Sequence, residues 1–181
     1  MTTDPIETVY TFVERAYVRL QTGDILERCL EEQDVAPIQQ WVESLVLAGP
    51  QSLFILREIV AEVNFRRVQV GDDLGKVVGD FEAVMKDLGV RMEGQQNALT
   101  LRYLTPMRLL SLMRAQGITE DAIRMECLKV LRNTRQAVAI LVQQIRLLKS
   151  IESYLQDWLW GLVYQSARQD REGRYHDDLM I

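Results

Sequence analysis

The chain has 181 residues, 48% hydrophobic and 26% charged, with a net charge of −5; a globule of that length buries roughly 70% of its unfolded surface, and this composition excludes disordered, collagenous and purely coiled-coil chains. One histidine, His176, and two distant cysteines, Cys29 and Cys127, poorly supply catalytic triads, histidine-held metals and paired-cysteine redox chemistry. Residues 1–90 carry 16 acids against 8 bases and residues 91–181 carry 10 against 13, so the halves are oppositely charged and the overall basic surplus of a nonspecific nucleic-acid binder is missing.

Asp4, Pro5 and Glu7 stand at the N-cap, N1 and N3 positions of a helix over residues 4–22, where carboxylates accept from free amides and proline loses no bond. Val9, Tyr10, Val13, Ala16, Tyr17 and Leu20 follow its 3.6-residue period, and Gly23 is expected to end it. A short helix from Asp24 to Gln33 and a third opened by Pro37, carrying Trp41, Val42 and Leu45, precede a break at Gly49-Pro50. Ser52–Val68 is apolar around more than half its circumference, which predicts a central core helix ending at a Gly71-Asp72-Asp73 turn. Leu74, Val77, Val78, Phe81, Val84, Met85 and Leu88 mark the next helix, closed by Gly89.

Between residues 90 and 104 the period changes to two: Val90 and Met92 alternate with Arg91 and Glu93, and Leu99, Leu101 and Tyr103 with Thr100 and Arg102. That alternation predicts a small β-hairpin around Gly94-Gln95-Gln96-Asn97, with a continued helix as the competing reading. Thr105-Pro106 opens a helix that Gly117 stops, and Thr119, Glu120 and Asp121 start another at the positive end of its dipole. From Ile118 to Trp160 neither glycine nor proline occurs. One helix of about 45 residues, about 65–70 Å long, is the economical reading, with a bend or break near Asn133-Thr134 or Ser150 as alternatives.

The two helices around Gly117 have the outline of a helix-turn-helix, but Glu120 and Asp121 would open the reading helix against phosphate, so a plain αα-hairpin is favoured. Gly71, Gly75 and Gly79 lack the lysine and hydroxyl residue of a phosphate loop and read as a turn plus small packing residues. Asp72, Asp73 and Asp80 lack EF-hand spacing, His176-Asp177-Asp178 lies in a polar tail, and adjacent Glu31 and Glu32 point about 100° apart on a helix. These residues therefore nominate no catalytic, cofactor-binding or metal site.

Two constellations carry the functional expectation. Arg124, Arg132, Arg135, Arg146 and Lys149 fall within about 100° on the long helix, a basic face suited to an acidic partner, RNA or anionic lipid. Tyr154, Trp158, Trp160 and Tyr164, with Leu162, concentrate aromatic surface near its end, a composition favoured at protein interfaces and in cores. Asp157 among them speaks against a lipid surface.

The expectation is thus a mainly α multi-helix bundle of six to eight helices, with the small hairpin near 90–104 and a long C-terminal helix. Residues 1–165 form a single helical domain and 166–181 a flexible tail. The start lacks a basic leader and no apolar run reaches ~18 residues, so a cytoplasmic location with no transmembrane segment is expected. The function read from these features is a non-enzymatic helical interaction, regulatory or adaptor protein, self-associating or docking on a protein partner by its long C-terminal helix. The alternative is a nucleic-acid-associated regulator using the basic face.

Overall fold

Proline at the start of the first helix and a residue in the left-handed region just past its end set the limits of α1, Pro5–Glu32. Gln33, at φ 53°, turns the chain out; the Asp34 amide donates to the Cys29 carbonyl at 3.1 Å, and the Asp34 carboxylate accepts from the Ala36 amide at 3.1 Å to open the next helix. The structure, a computed structural model, describes residues 5–46 and 52–179, with side chains for 14–45, 52–165, 167, 168 and 171. Among these residues the remaining helices are α2 (Ala36–Val46), α3 (Ser52–Asp87), α4 (Ala98–Tyr103), α5 (Pro106–Ala115) and α6 (Asp121–Leu179), and there is no strand. The mainly α class and the long C-terminal helix stand as predicted; the Gly49-Pro50 break lies outside the described residues.

Two expected helix ends are absent. Gly23 does not stop α1, so the first two predicted helices are one of 28 residues. Gly71-Asp72-Asp73 makes no turn, and α3 runs unbroken for 36 residues through Gly71, Gly75 and Gly79. A helical glycine costs about 0.5–1 kcal/mol relative to alanine, whereas each large side chain fully buried contributes about 1.5–3 kcal/mol. Leu26 and Cys29 follow Gly23 into the interior, and Val70, Val78, Phe81 and Met85 keep an unbroken helical stripe across the three later glycines. The burial term exceeds the glycine term, so both helices continue.

The chain divides into two compact units, Met1–Arg67 with Arg146–Ile181, and Val68–Ile145. In the first, Ile38, Val42, Leu56, Ile59, Val63, Leu148, Ile151 and Leu155 are buried with Val18, Leu26, Cys29 and Leu30. Thr22 is fully buried, and its hydroxyl has both capacities used: it donates to the Val18 carbonyl at 2.7 Å and accepts from Trp41 Nε1 at 3.2 Å, joining α1 to α2. Ion pairs edge the same unit, with Arg19 on Glu58 at 2.8 Å, Arg66 on Glu27 and Arg67 on Glu152. The Arg15 guanidinium lies 4.6 Å from the Phe54 ring centroid.

The second unit holds one apolar core, in which Val78, Phe81 and Met85 of α3 meet Val90, Leu101, Leu109, Met113, Cys127, Leu131 and Val138. The hairpin expected near 90–104 is not formed. Residues 90–97 are irregular and 98–103 are the short helix α4. The reason is local: Asn97 accepts from the Thr100 amide at 2.9 Å while the Asn97 amide donates to Thr100 Oγ1 at 2.8 Å, a reciprocal capping box that starts a helix where the second strand was expected. Side chains also take the bonds that strand pairing would have supplied, since the Gln96 amide donates to Glu82 at 2.8 Å and Gln116 serves both backbone groups of Arg91. Two isolated strands are marginal on their own, so capping and burial of Leu101 prevail.

Gly89 and Gly117 do end α3 and α5 as expected, at φ 81° and 76°. Thr105 caps α5 by accepting from the Arg108 amide at 3.2 Å, with Pro106 at the first helical position. Helix α6 shows neither predicted break and is longer than expected, 59 residues. Its backbone is helical through residues 166–179 of the stretch 166–181 read from sequence as a tail, and residues 180 and 181 lie outside the described ones.

Candidate docking surfaces

Helix α6 places the aromatic cluster in the first unit and sorts it onto two faces. Among the described side chains of the helix, Leu155 is the last that is buried. Tyr154, Trp158 and Leu162 recur every fourth position and are half-buried, so they form a stripe on the inner side with Ile151 and Leu155. The Tyr154 hydroxyl is shielded from solvent and has no hydrogen-bond partner among the described residues. Trp160, Val163 and Tyr164 occupy the other side and are 72%, 44% and 71% exposed. The five residues nominated from sequence are therefore not one surface: three line the interior flank, and Trp160 and Tyr164 face outward with Val163, which the aromatic count overlooked.

The basic face is also divided. Arg146 and Lys149 belong to the first unit and are exposed, while Arg124, Arg132 and Arg135 belong to the second. Arg124 is half-buried and paired with Asp121 one turn earlier. Arg135 is half-buried as well and donates to the Arg102 carbonyl at 3.3 Å, so part of its donor set is committed to holding α4 on α6. Arg132 is exposed and makes no ion pair with another described residue.

Sequence reasoning missed a groove in the second unit. An open cleft of about 830 Å³ follows α6 from Ala122 to Ala139 and is flanked by Pro106 at the start of α5. Its large apolar members are Met125, Leu128 and Leu131, and its basic members are Lys129, Arg132 and Arg135 against one carboxylate, Glu126. Met125 is 68% exposed, although it is a large apolar side chain. The signal was present in the spacing Ala122, Met125, Lys129, Arg132, Gln136, Ala139, which repeats every three or four residues, but its mixture of small, apolar and basic types resembles an ordinary solvated face.

Both cysteines are fully buried free thiols. Burial pushes the Cys29 thiol up; the Ile38 backbone hydrogen bond opposes this, and Asp34 and Glu32, which raise it, and Arg28, which lowers it, contribute less. Burial likewise raises Cys127, with Glu126 contributing. Such thiols stay protonated and act as small apolar side chains. Among the described residues no group of three or more metal-ligating side chains converges, and no helix is long and apolar enough to cross a membrane. No protein family, curated protein or solved structure matches the chain.

Proposed function

We propose that this chain is a non-enzymatic helical docking protein that acts through the outer face of the α6 end, with a second copy of itself as the simplest partner. The observation that supports this reading is the exposure of Trp160 and Tyr164 one turn apart, with Val163 beside them. Ring surface of this kind, held on a helix, is the residue type that dominates binding energy when a partner desolvates it. The spacing 160, 163, 164 gives a narrow apolar stripe of the sort that pairs helix against helix. A second copy offers the same stripe, and a two-fold axis would bring Trp160 and Tyr164 of each against the other.

Sedimentation equilibrium across a broad concentration range tests this directly. Wild-type protein is expected to show reversible self-association that Trp160→Ala with Tyr164→Ala weakens by tenfold or more, about 1.4 kcal/mol or above, while the helical circular dichroism is unchanged. A monomer at every concentration, or a double variant that associates like wild type, overturns the self-docking reading. The rival, a nucleic-acid-associated regulator, draws support from Arg132 and Arg135 sharing one groove with Lys129. It requires RNA or DNA retention at low salt that falls steeply as salt is added.

A further inference from the structure

The geometry points to the α6 groove of the second unit as a binding site for an acidic amphipathic helix of a partner protein. This inference rests on residues 106–139 and is independent of the aromatic end of α6. Three observations converge on it. First, the lining runs from Ala122 to Ala139, 18 residues of helix that span about 25 Å at a rise of 1.5 Å per residue; that is the footprint of a peptide helix of similar length, where a compact ligand would need a deeper and shorter cavity. Second, the lining combines small and adaptable apolar residues. Ala122 and Ala139 leave room at either end, and Met125, largely exposed, supplies an unbranched thioether side chain that moulds to varied apolar anchors.

Third, the charge is one-sided. Lys129, Arg132 and Arg135 stand against Glu126 alone within the groove, and residues 98–145 carry seven basic residues against three acidic ones. Lys129 and Arg132 are exposed and make no ion pair with another described residue, so their charge is available to carboxylates on an incoming helix. The same cations would attract a nucleic acid, but the groove presents no aromatic ring for base stacking and would leave its apolar lining residues against phosphate. An acidic helix with apolar residues at i, i+3 or i+4, and i+7 matches the apolar and the basic lining residues together.

The probe is a displayed library of helix-forming peptides of about 18 residues, with leucine on one stripe and glutamate, glutamine or lysine on the remaining positions, selected on the full-length protein. Glutamate-rich members are expected to be enriched and to lose at least about tenfold in affinity on Lys129→Glu with Arg132→Glu. Both substitutions are on exposed side chains, and unchanged circular dichroism verifies the fold. Met125→Ser should weaken the same peptides without altering their salt dependence, and scrambling the leucine stripe should abolish binding. The inference is overturned if no peptide is enriched, or if lysine- or glutamine-rich members bind as tightly as glutamate-rich ones. It is equally overturned if charge reversal leaves the glutamate-rich peptides unaffected, if single-stranded RNA of matched charge displaces them from the groove more effectively than they displace it, or if Lys129→Glu with Arg132→Glu abolishes wild-type self-association, which would assign the groove to a second copy.

Discussion

Gln116 and Arg91 exchange two hydrogen bonds: the Arg91 amide donates to Gln116 Oε1 at 2.8 Å and Gln116 Nε2 donates to the Arg91 carbonyl at 2.6 Å. One side-chain amide thus occupies the place of a neighbouring strand, satisfying both backbone groups of a residue in an irregular segment. This pins the irregular stretch after α3 to the end of α5 and keeps Val90 buried. Gln116→Ala should lower stability by about 1 kcal/mol, the usual net value for bonds of this kind in a solvated setting, seen as a lower urea midpoint and faster hydrogen exchange at the Arg91 amide. Gln116→Glu keeps the acceptor and loses the donor, so it should retain the protection of that amide. Unchanged exchange in the alanine variant would show that the pair contributes nothing.

The glycines separate into two groups with opposite expected signs. At Gly71, Gly75 and Gly79 an added Cβ meets nothing within 4 Å and the backbone is helical, so alanine should stabilise each site by about 0.5–1 kcal/mol. At Gly117 space is equally open but φ is 76°, a conformation that costs an L-residue roughly 1–2 kcal/mol. Gly117→Ala should therefore destabilise. Urea melts of Gly79→Ala and Gly117→Ala that move in the same direction would contradict this assignment.

Stability should fall on the alkaline side because of Cys29 and Cys127. Burial raises both thiols in the folded protein, whereas in the unfolded chain they ionise near the ordinary value of about 8.5. Above that value the unfolded state gains by losing protons while the native state does not. The stabilisation is fully present below about pH 8.5 and is lost as pH rises through the folded-state values. Replacing both with alanine lowers stability at neutral pH through lost packing and should flatten the alkaline slope. A thiol reagent should modify neither residue until the protein opens.

The amphipathic periods of α2, α5 and the body of α6 were legible because those helices bury one stripe with proline, threonine or acidic residues at their starts, signals that operate within one or two turns. The glycine positions misled at Gly23 and Gly71 and informed correctly at Gly89 and Gly117. The residue is the same, and the difference is whether apolar side chains beyond it return to the same buried face. At residues 90–104 the alternation of apolar and polar side chains was real, yet it recorded burial of Val90 and Leu101 from a loop and a short helix. Period two reports which side chains face inward and leaves open how the backbone is hydrogen-bonded.

By itself the amino-acid order determined the helical class, the long final helix and the stops at Gly89 and Gly117, because periodicity, capping and left-handed glycine are local properties of the chain. Tertiary packing alone decided that Tyr154, Trp158 and Leu162 turn inward while Trp160 and Tyr164 remain outside, and that Pro106 flanks an open groove along α6 lined by Lys129 and Arg132. Which side of an amphipathic helix is covered depends on what stands next to it, and those neighbours are distant in sequence.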